Sequence, residues 1–167
     1  DEMPGGFFIY RAEGDEELLY VNNAMLRIFG CDTLEEFKEL TGYTFPGIVH
    51  PEDIDAVEKS IASQIASSQY DLDYVEYRII QRDGTVRWVE DYGHFVHTQL
   101  YGDVFYVFID DATERMKTRM KQLEIVNSEL KEVYTRELQY RKAILHDAIF
   151  FFEVNLTRDE MITTTLP

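Results

Sequence analysis

The stretch Val104-Phe105-Tyr106-Val107-Phe108-Ile109-Asp110-Asp111-Ala112-Thr113-Glu114-Arg115 decides the fold. Its first six residues are all β-branched or aromatic, the types that favour strands. Side chains on a strand alternate between two faces, so a strand apolar at every position belongs in the middle of a sheet, covered on both sides. Polarity then returns abruptly. Asp111 with Glu114 three residues on fits a capping box, the local signal that opens a helix. The stretch therefore reads as central strand, joint, helix.

Working outward, Phe7-Phe8-Ile9-Tyr10 after Gly5-Gly6 is the other wholly apolar run, so these two are the best candidates for adjacent central strands. Gly14-Asp15 marks a turn, and Leu18 to Val21 a second strand. Asn22 can cap a helix carrying Met25, Leu26 and Phe29, which Gly30 ends. Thr33-Leu34-Glu35-Glu36 is a capping box for a helix with Leu34, Phe37 and Leu40 on one face, closed by Gly42. Pro51 stands where a first helical residue belongs, and Ile54, Val57, Ile61 and Ile65 give an amphipathic helix to about Ser67. Residues 71–82 and 85–98 are strand-like and meet at the hairpin signal Asp83-Gly84. The class is α+β. One sheet face meets the helices, and the other calls for a terminal segment, a helix or a second subunit.

In this order (strand, strand, three helices, hairpin, strand) the chain resembles a PAS domain. Leu19-Tyr20-Val21-Asn22-Asn23-Ala24 looks like that family's strand-to-helix junction, and Phe29-Gly30 like the end of its next helix. Val49-His50-Pro51-Glu52-Asp53 looks like the loop before its long helix. Glu76-Tyr77-Arg78-Ile79, Asp83-Gly84-Thr85 and Arg87-Trp88-Val89 look like its two long strands, and Asp111-Ala112-Thr113-Glu114-Arg115 like its exit motif. The resemblance covers about residues 5–115. It implies a five-stranded antiparallel sheet in order 2-1-5-4-3 with helices on one face, followed here by a long α-helix. It also implies a role as a sensor, dimerisation or relay module in signalling proteins.

Composition narrows the function. The chain has 167 residues, with 32 acidic and 16 basic side chains, for a net charge of −16. A surface of that sign repels nucleic acid and anionic lipid, so no nucleic acid and no direct membrane binding are expected. No apolar stretch approaches the roughly 18–20 residues of a membrane span. The chain opens Asp1-Glu2-Met3 without the basic start and apolar run of a signal peptide. The single cysteine, Cys31, cannot form an internal disulfide. A cytoplasmic, reduced setting fits best.

Several residues invite sharper readings. Cys31 suggests a flavin photoreceptor, but the Asn-Cys-Arg-Phe-Leu-Gln type motif of blue-light family members is absent, so a structural thiol is expected. His50 suggests a haem ligand; standing before Pro51, it more naturally caps or fills a loop. His94 and His97 share a strand at odd spacing and point to opposite faces, which argues against a metal site. His146-Asp147 suggests a kinase phosphoacceptor but continues Ala148-Ile149-Phe150-Phe151-Phe152, unlike one. No nucleophile–base pair or phosphate loop stands out. The carboxylates read as a solvated acidic surface. No enzyme activity, cofactor or metal is expected. Asp111, Thr113 and Arg115, which join the central strand to the long helix, are the candidate signal-relay residues.

Residues 116–146 read as a signalling helix. Met116, Met120, Leu123, Asn127, Leu130, Tyr134, Glu137, Arg141 and Ile144 follow at alternating steps of four and three, with Val126, Val133 and Tyr140 as a second stripe. This suits a homodimer through helix 116–145, with Asn127 setting register; the alternative is one helix packed on the uncovered sheet face. Residues 147–167 repeat the texture of the first hairpin and read as the truncated start of a second PAS-like domain, with Phe150 to Phe152 packed on the sheet or a partner. The expected function of residues 1–115 is that of a cytoplasmic sensory and dimerisation module. It would relay a small-molecule or partner signal to an output domain outside this chain. Resemblance suggests a two-component histidine kinase or a cyclic-di-GMP enzyme. The alternatives are a ligand-free dimerisation spacer and a haem-binding sensor. Residues 1–115 hold 24 acidic and 8 basic side chains, so the whole −16 lies in the sensor body, while 116–145 is mildly basic.

Overall fold

The computed structural model describes residues 5–157, with side chains through residue 146. The elements are β1 (Gly6–Arg11), β2 (Leu18–Val21), α1 (Asn23–Phe29), α2 (Leu34–Thr41), α3 (Phe45–Ile48), α4 (Ile54–Ser67), β3 (Leu72–Ile80), β4 (Val86–Thr98), β5 (Gly102–Asp111) and α5 (Thr113–Thr157). The five strands form one antiparallel sheet in the order β2-β1-β5-β4-β3. The two all-apolar strands lie side by side at its centre, in register from Gly6 opposite Ile109 to Arg11 opposite Val104.

Alternation sorts the two faces. Phe8, Tyr10, Val75, Tyr77, Ile79, Val89, Phe105, Val107 and Ile109 turn toward the helices and pack with Met25, Phe29, Phe37, Phe45, Ile48, Val57 and Ile61. The rings of Tyr10 and Phe45 stack 4.5 Å apart, and those of Tyr10 and Phe105 4.9 Å apart. The opposite face carries Phe7, Tyr20, Tyr92 and Tyr106, and the three tyrosines are 36–49% exposed. Within residues 1–117, one of the two compact units of the chain, that face is less covered than an all-apolar strand predicts. Tyrosines tolerate this because the ring shields neighbours while the hydroxyl stays wet; Phe7 packs against Tyr20 and Tyr106 at 6.0 and 6.4 Å.

The helix ends follow the sequence signals. Asn22 accepts a hydrogen bond from Met25 N at 3.1 Å, and Gly30 closes α1 at φ +67°. Thr33 accepts from Glu36 N at 3.2 Å, while the Glu36 carboxylate reaches back to Asp32 N at 2.8 Å. One expectation needs correction. Pro51 is not the first helical residue: residues 51–53 form a turn and α4 begins at Ile54. Asp53 makes no side-chain cap because Arg78 occupies its carboxylate, through the backbone N and Nε at 3.0 Å and an Nη at 2.6 Å. The short helix α3 also went unread, since Phe45-Pro46-Gly47-Ile48 looks like a turn; Thr44 caps it through Gly47 N at 3.2 Å.

Helix α5 continues past residue 146 to Thr157. The backbone of residues 151–154 is therefore helical where a strand was expected. No Gly or Pro stands between Ala112 and Pro167 to break the helix. The remainder of the expected second-domain hairpin, residues 158–167, and the packing of Phe150 to Phe152 lie outside the described residues and side chains.

Candidate functional site

The strand-to-helix joint is built from Asp111, Thr113, Arg115 and three residues of β4, Arg87, Trp88 and Glu90. Asp111 ends β5 opposite Val89, and Thr113 opens α5. The Asp111 Oδ1 accepts from Thr113 N at 2.9 Å and from Thr113 Oγ1 at 2.6 Å. Thr113 Oγ1 in turn accepts from Trp88 N at 3.0 Å, while Ala112 N donates to Trp88 O at 2.9 Å. Both backbone groups of Trp88 are thus held by the first residues beyond β5. Thr113 and Ala112 are buried, so water does not compete for these bonds. Arg87 Nε lies 3.1 Å from Asp111 Oδ2 without hydrogen-bond alignment, so that contact is Coulombic. Arg115 pairs with Glu90 at 2.7 Å and, more loosely, with Asp110 at 3.5 Å. The three residues named from sequence therefore meet at one place. The capping box differs in detail: the Asp111 carboxylate serves Thr113, and Glu114 pairs with Lys117 at 3.2 Å.

A second feature lies between α4 and the sheet. A pocket of about 620 Å³ opens there, floored by Tyr10, Phe45, Phe95 and Phe105. One face of α4 supplies Ile61, Ala62, Ile65 and Ala66, and Glu16 and Glu58 stand at its polar side. Spacings of three and four put 58, 61, 62, 65 and 66 on one helical stripe. The two alanines leave the room that larger side chains would fill.

Behind the pocket the structure overturns one expectation. The carboxylates are not all solvated: Asp73 and Asp91 are buried on the helix-facing side of the sheet, and Glu90 is buried on the other face beside Arg115. Asp73 lies opposite Gly93 and Asp91 opposite Val75, so the two acids are diagonal neighbours on β3 and β4. Gly93 leaves room here, because a Cβ would push the Asp73 carboxylate aside. Asp91 Oδ2 accepts from the buried Tyr77 hydroxyl at 2.7 Å, whereas Asp73 Oδ2 has no partner. Burial, and then the charge of Asp73, push Asp91 up to about 8 despite the opposing Tyr77 bond. Burial lifts Asp73 to about 6. The period-two pattern was the signal that could have found them: Asp91 alternates in phase with Val89, Gly93 and Phe95, and Asp73 with Val75 and Tyr77.

The remaining candidates are accounted for locally. Cys31 is buried, donates to Phe29 O at 3.8 Å, and is raised in pKa chiefly by burial. His50 Nδ1 accepts from Glu52 N at 3.2 Å, capping the turn before α4. Neither lines the pocket, so these residues do not fit a flavin-reactive thiol or a haem ligand there. His97 pairs with Asp103, and His94 is exposed on the other face. Among the described residues no three His, Cys, Asp or Glu side chains converge as a metal site. The signature residue Arg78 anchors α4 through Asp53 and lies 6.0 Å from the Trp88 ring. Among the described residues no helix is long and apolar enough to cross a membrane.

Comparison with known proteins agrees with this architecture. Among solved structures, the chain is similar to a sensory box histidine kinase/response regulator from Burkholderia thailandensis, at 20% identity and a TM-score of 0.55 over 77% of this chain and 91% of that one. It is also similar to an RNA-binding light-oxygen-voltage receptor, at 22% identity and a TM-score of 0.55 over 74% of this chain and 34% of that one. A PAS domain from Colwellia psychrerythraea matches at 16% identity and a TM-score of 0.52, over 66% and 87% of the two chains. At these identities the likeness concerns the fold alone. No curated protein matches the sequence. A family model described as the PAS fold matches residues 18–108, more than half of the chain, and on that match the chain belongs to the PAS-fold family.

Proposed function

We propose that residues 5–115 are the sensory module of a cytoplasmic, bacterial-type signalling protein and that α5 relays its state to an output domain beyond this chain. The observation that carries this reading is the joint. Thr113 bonds to the end of β5 through Asp111 and to β4 through Trp88 N. A change in spacing between those strands therefore reorients the first turn of α5 instead of being absorbed by a slack loop. The pocket touches the same strands through Phe95 of β4 and Phe105 of β5. A ligand changes the population of two states only by binding them differently, and a pocket floored by the strands that hold the joint offers that difference.

The output is a histidine kinase or a cyclic-di-GMP enzyme, and the name of the Burkholderia protein supports the former. The module works as a homodimer through helix 116–145. Met120, Leu123, Leu130 and Tyr134 stand exposed along one seam, an unusual surface for a helix with no partner. A ligand-free spacer is the second reading, favoured by the Phe45–Tyr10–Phe105 stack, which already fills part of the core. The test uses the full-length protein. Asp111→Ala with Thr113→Ala is expected to leave the fold and basal output in place and to abolish any change of output with signal. Unaltered signal response in that variant overturns the joint.

A further inference from the structure

We propose that the pocket between α4 and the sheet takes a small organic cation with an apolar or aromatic body, its charged head lying between Glu16 and Glu58. The proposal rests on the reading of this pocket as the sensory site and names the chemistry it would accept.

The body of the ligand is set by the floor and wall. Phe95 and Phe105 meet at 5.3 Å beside the ring of Tyr10, and Ile61 and Ile65 face them from α4. The volume of about 620 Å³ falls in the usual range of small-molecule sites, roughly 300–1,000 Å³. Such a surface takes up a ring or branched alkyl group by excluding water.

The sign of the head is set by the carboxylates. Glu16 and Glu58 come from different elements, the β1–β2 turn and α4, and both line the pocket. Glu16 is fixed there. Its backbone is left-handed at φ +52°, uncommon for a residue other than Gly, and its carbonyl accepts from Phe45 N at 3.0 Å. Among the described residues, neither carboxylate has a cationic or hydrogen-bonding partner, whereas Glu17, next to Glu16 in the chain, pairs with Arg11 at 3.7 Å. No Lys, Arg or His lines the pocket. Burial and the charge of Glu58 both raise the pKa of Glu16, which is the cost of holding two like charges at one mouth without a counterion. Burial first, and then charges that include those of Glu16 and Glu58, disfavour ionisation of the Tyr10 hydroxyl on the floor. An amine or quaternary ammonium head relieves this repulsion, a neutral head leaves it, and a carboxylate or phosphate adds to it.

The test is calorimetric titration of the 167-residue chain with three probes of one shape and different charge: phenethylammonium, 2-phenylethanol and phenylacetate. At neutral pH the expected order is cation, alcohol, anion, with the cation about fivefold or more tighter than the alcohol. Glu16→Gln with Glu58→Gln is expected to bring the cation to the affinity of the alcohol and to leave the alcohol unchanged. Ala62→Phe, which fills the pocket, is expected to abolish both. Equal binding of the three probes, or preference for phenylacetate, with loss in Ala62→Phe, overturns the cation proposal and leaves the pocket as a binding site. A cation preference that survives the Gln variants also overturns it. Absence of binding by all three probes overturns the proposal and the sensory reading of the pocket together.

Discussion

Replacing Asp91 by Asn should change how stability depends on pH, and the change follows from burial. Asp91 is 1% exposed, and burial pushes its carboxyl from the ordinary 3.8 up to about 8. An acid whose pKa is raised by folding contributes no penalty below its unfolded pKa, where it is protonated in both states. As pH rises, the unfolded chain releases the proton and the folded one does not, so stability falls until the pH passes the folded pKa. The rise from 3.8 to about 8 sets a ceiling of about 5 kcal/mol, lost between about pH 4 and pH 8. Asp73, raised to about 6, adds to the loss only in the lower half of that window. From pH 6 to 8 the wild type should lose about 2 kcal/mol relative to Asp91→Asn. The amide keeps an acceptor for the Tyr77 hydroxyl, now 2.7 Å from Asp91 Oδ2, but its buried NH₂ costs about 1–3 kcal/mol. The variant should therefore be weaker near pH 4 and stronger by about 2–4 kcal/mol above pH 8. Urea unfolding followed through Trp88, the only tryptophan, reads this directly at each pH. Parallel curves for wild type and variant between pH 6 and 8 would refute the buried neutral acid.

Two further substitutions probe the same strands. Gly93→Ala should destabilise by about 1–3 kcal/mol, because its Cβ meets the Asp73 carboxylate; adding Asp73→Ala should recover most of the loss, measured as a coupling in a double-mutant cycle. Thr113→Val preserves shape but removes the acceptor for Trp88 N. It should cost about 1–3 kcal/mol in urea and speed exchange of the Trp88 amide hydrogen.

The central pairing of β1 and β5 was legible because Phe7 to Tyr10 and Val104 to Ile109 are apolar on both faces, while the full sheet order came with the family resemblance. The caps at Asn22 and Thr33 were legible because they are local. The start of α4 was not, since Asp53 is taken by Arg78, 25 residues away, and a tertiary ion pair leaves no local mark. The relay residues were visible as a capping pattern, yet the bond from Trp88 N to Thr113 depends on strand pairing and came only with the structure. Asp73 and Asp91 lay hidden in a composition rich in acids. Counting charges suggested a wet surface, while the alternation of β3 and β4 already pointed both side chains inward. For residues 151–157, the resemblance of texture to the first hairpin carried less weight than the lack of any helix breaker between Ala112 and Pro167.

The central claim is that the pocket and α5 communicate through Thr113 in a dimer. Its most direct test is the distance between spin labels on two copies of the chain, placed at exposed Ser128 as Ser128→Cys with the buried Cys31 replaced by Ala. A single intermolecular distance is expected, shifted when Ala62→Phe fills the pocket and restored to its original value when Thr113→Val is added. No intermolecular distance, or a shift that persists in the Thr113→Val background, would contradict the account.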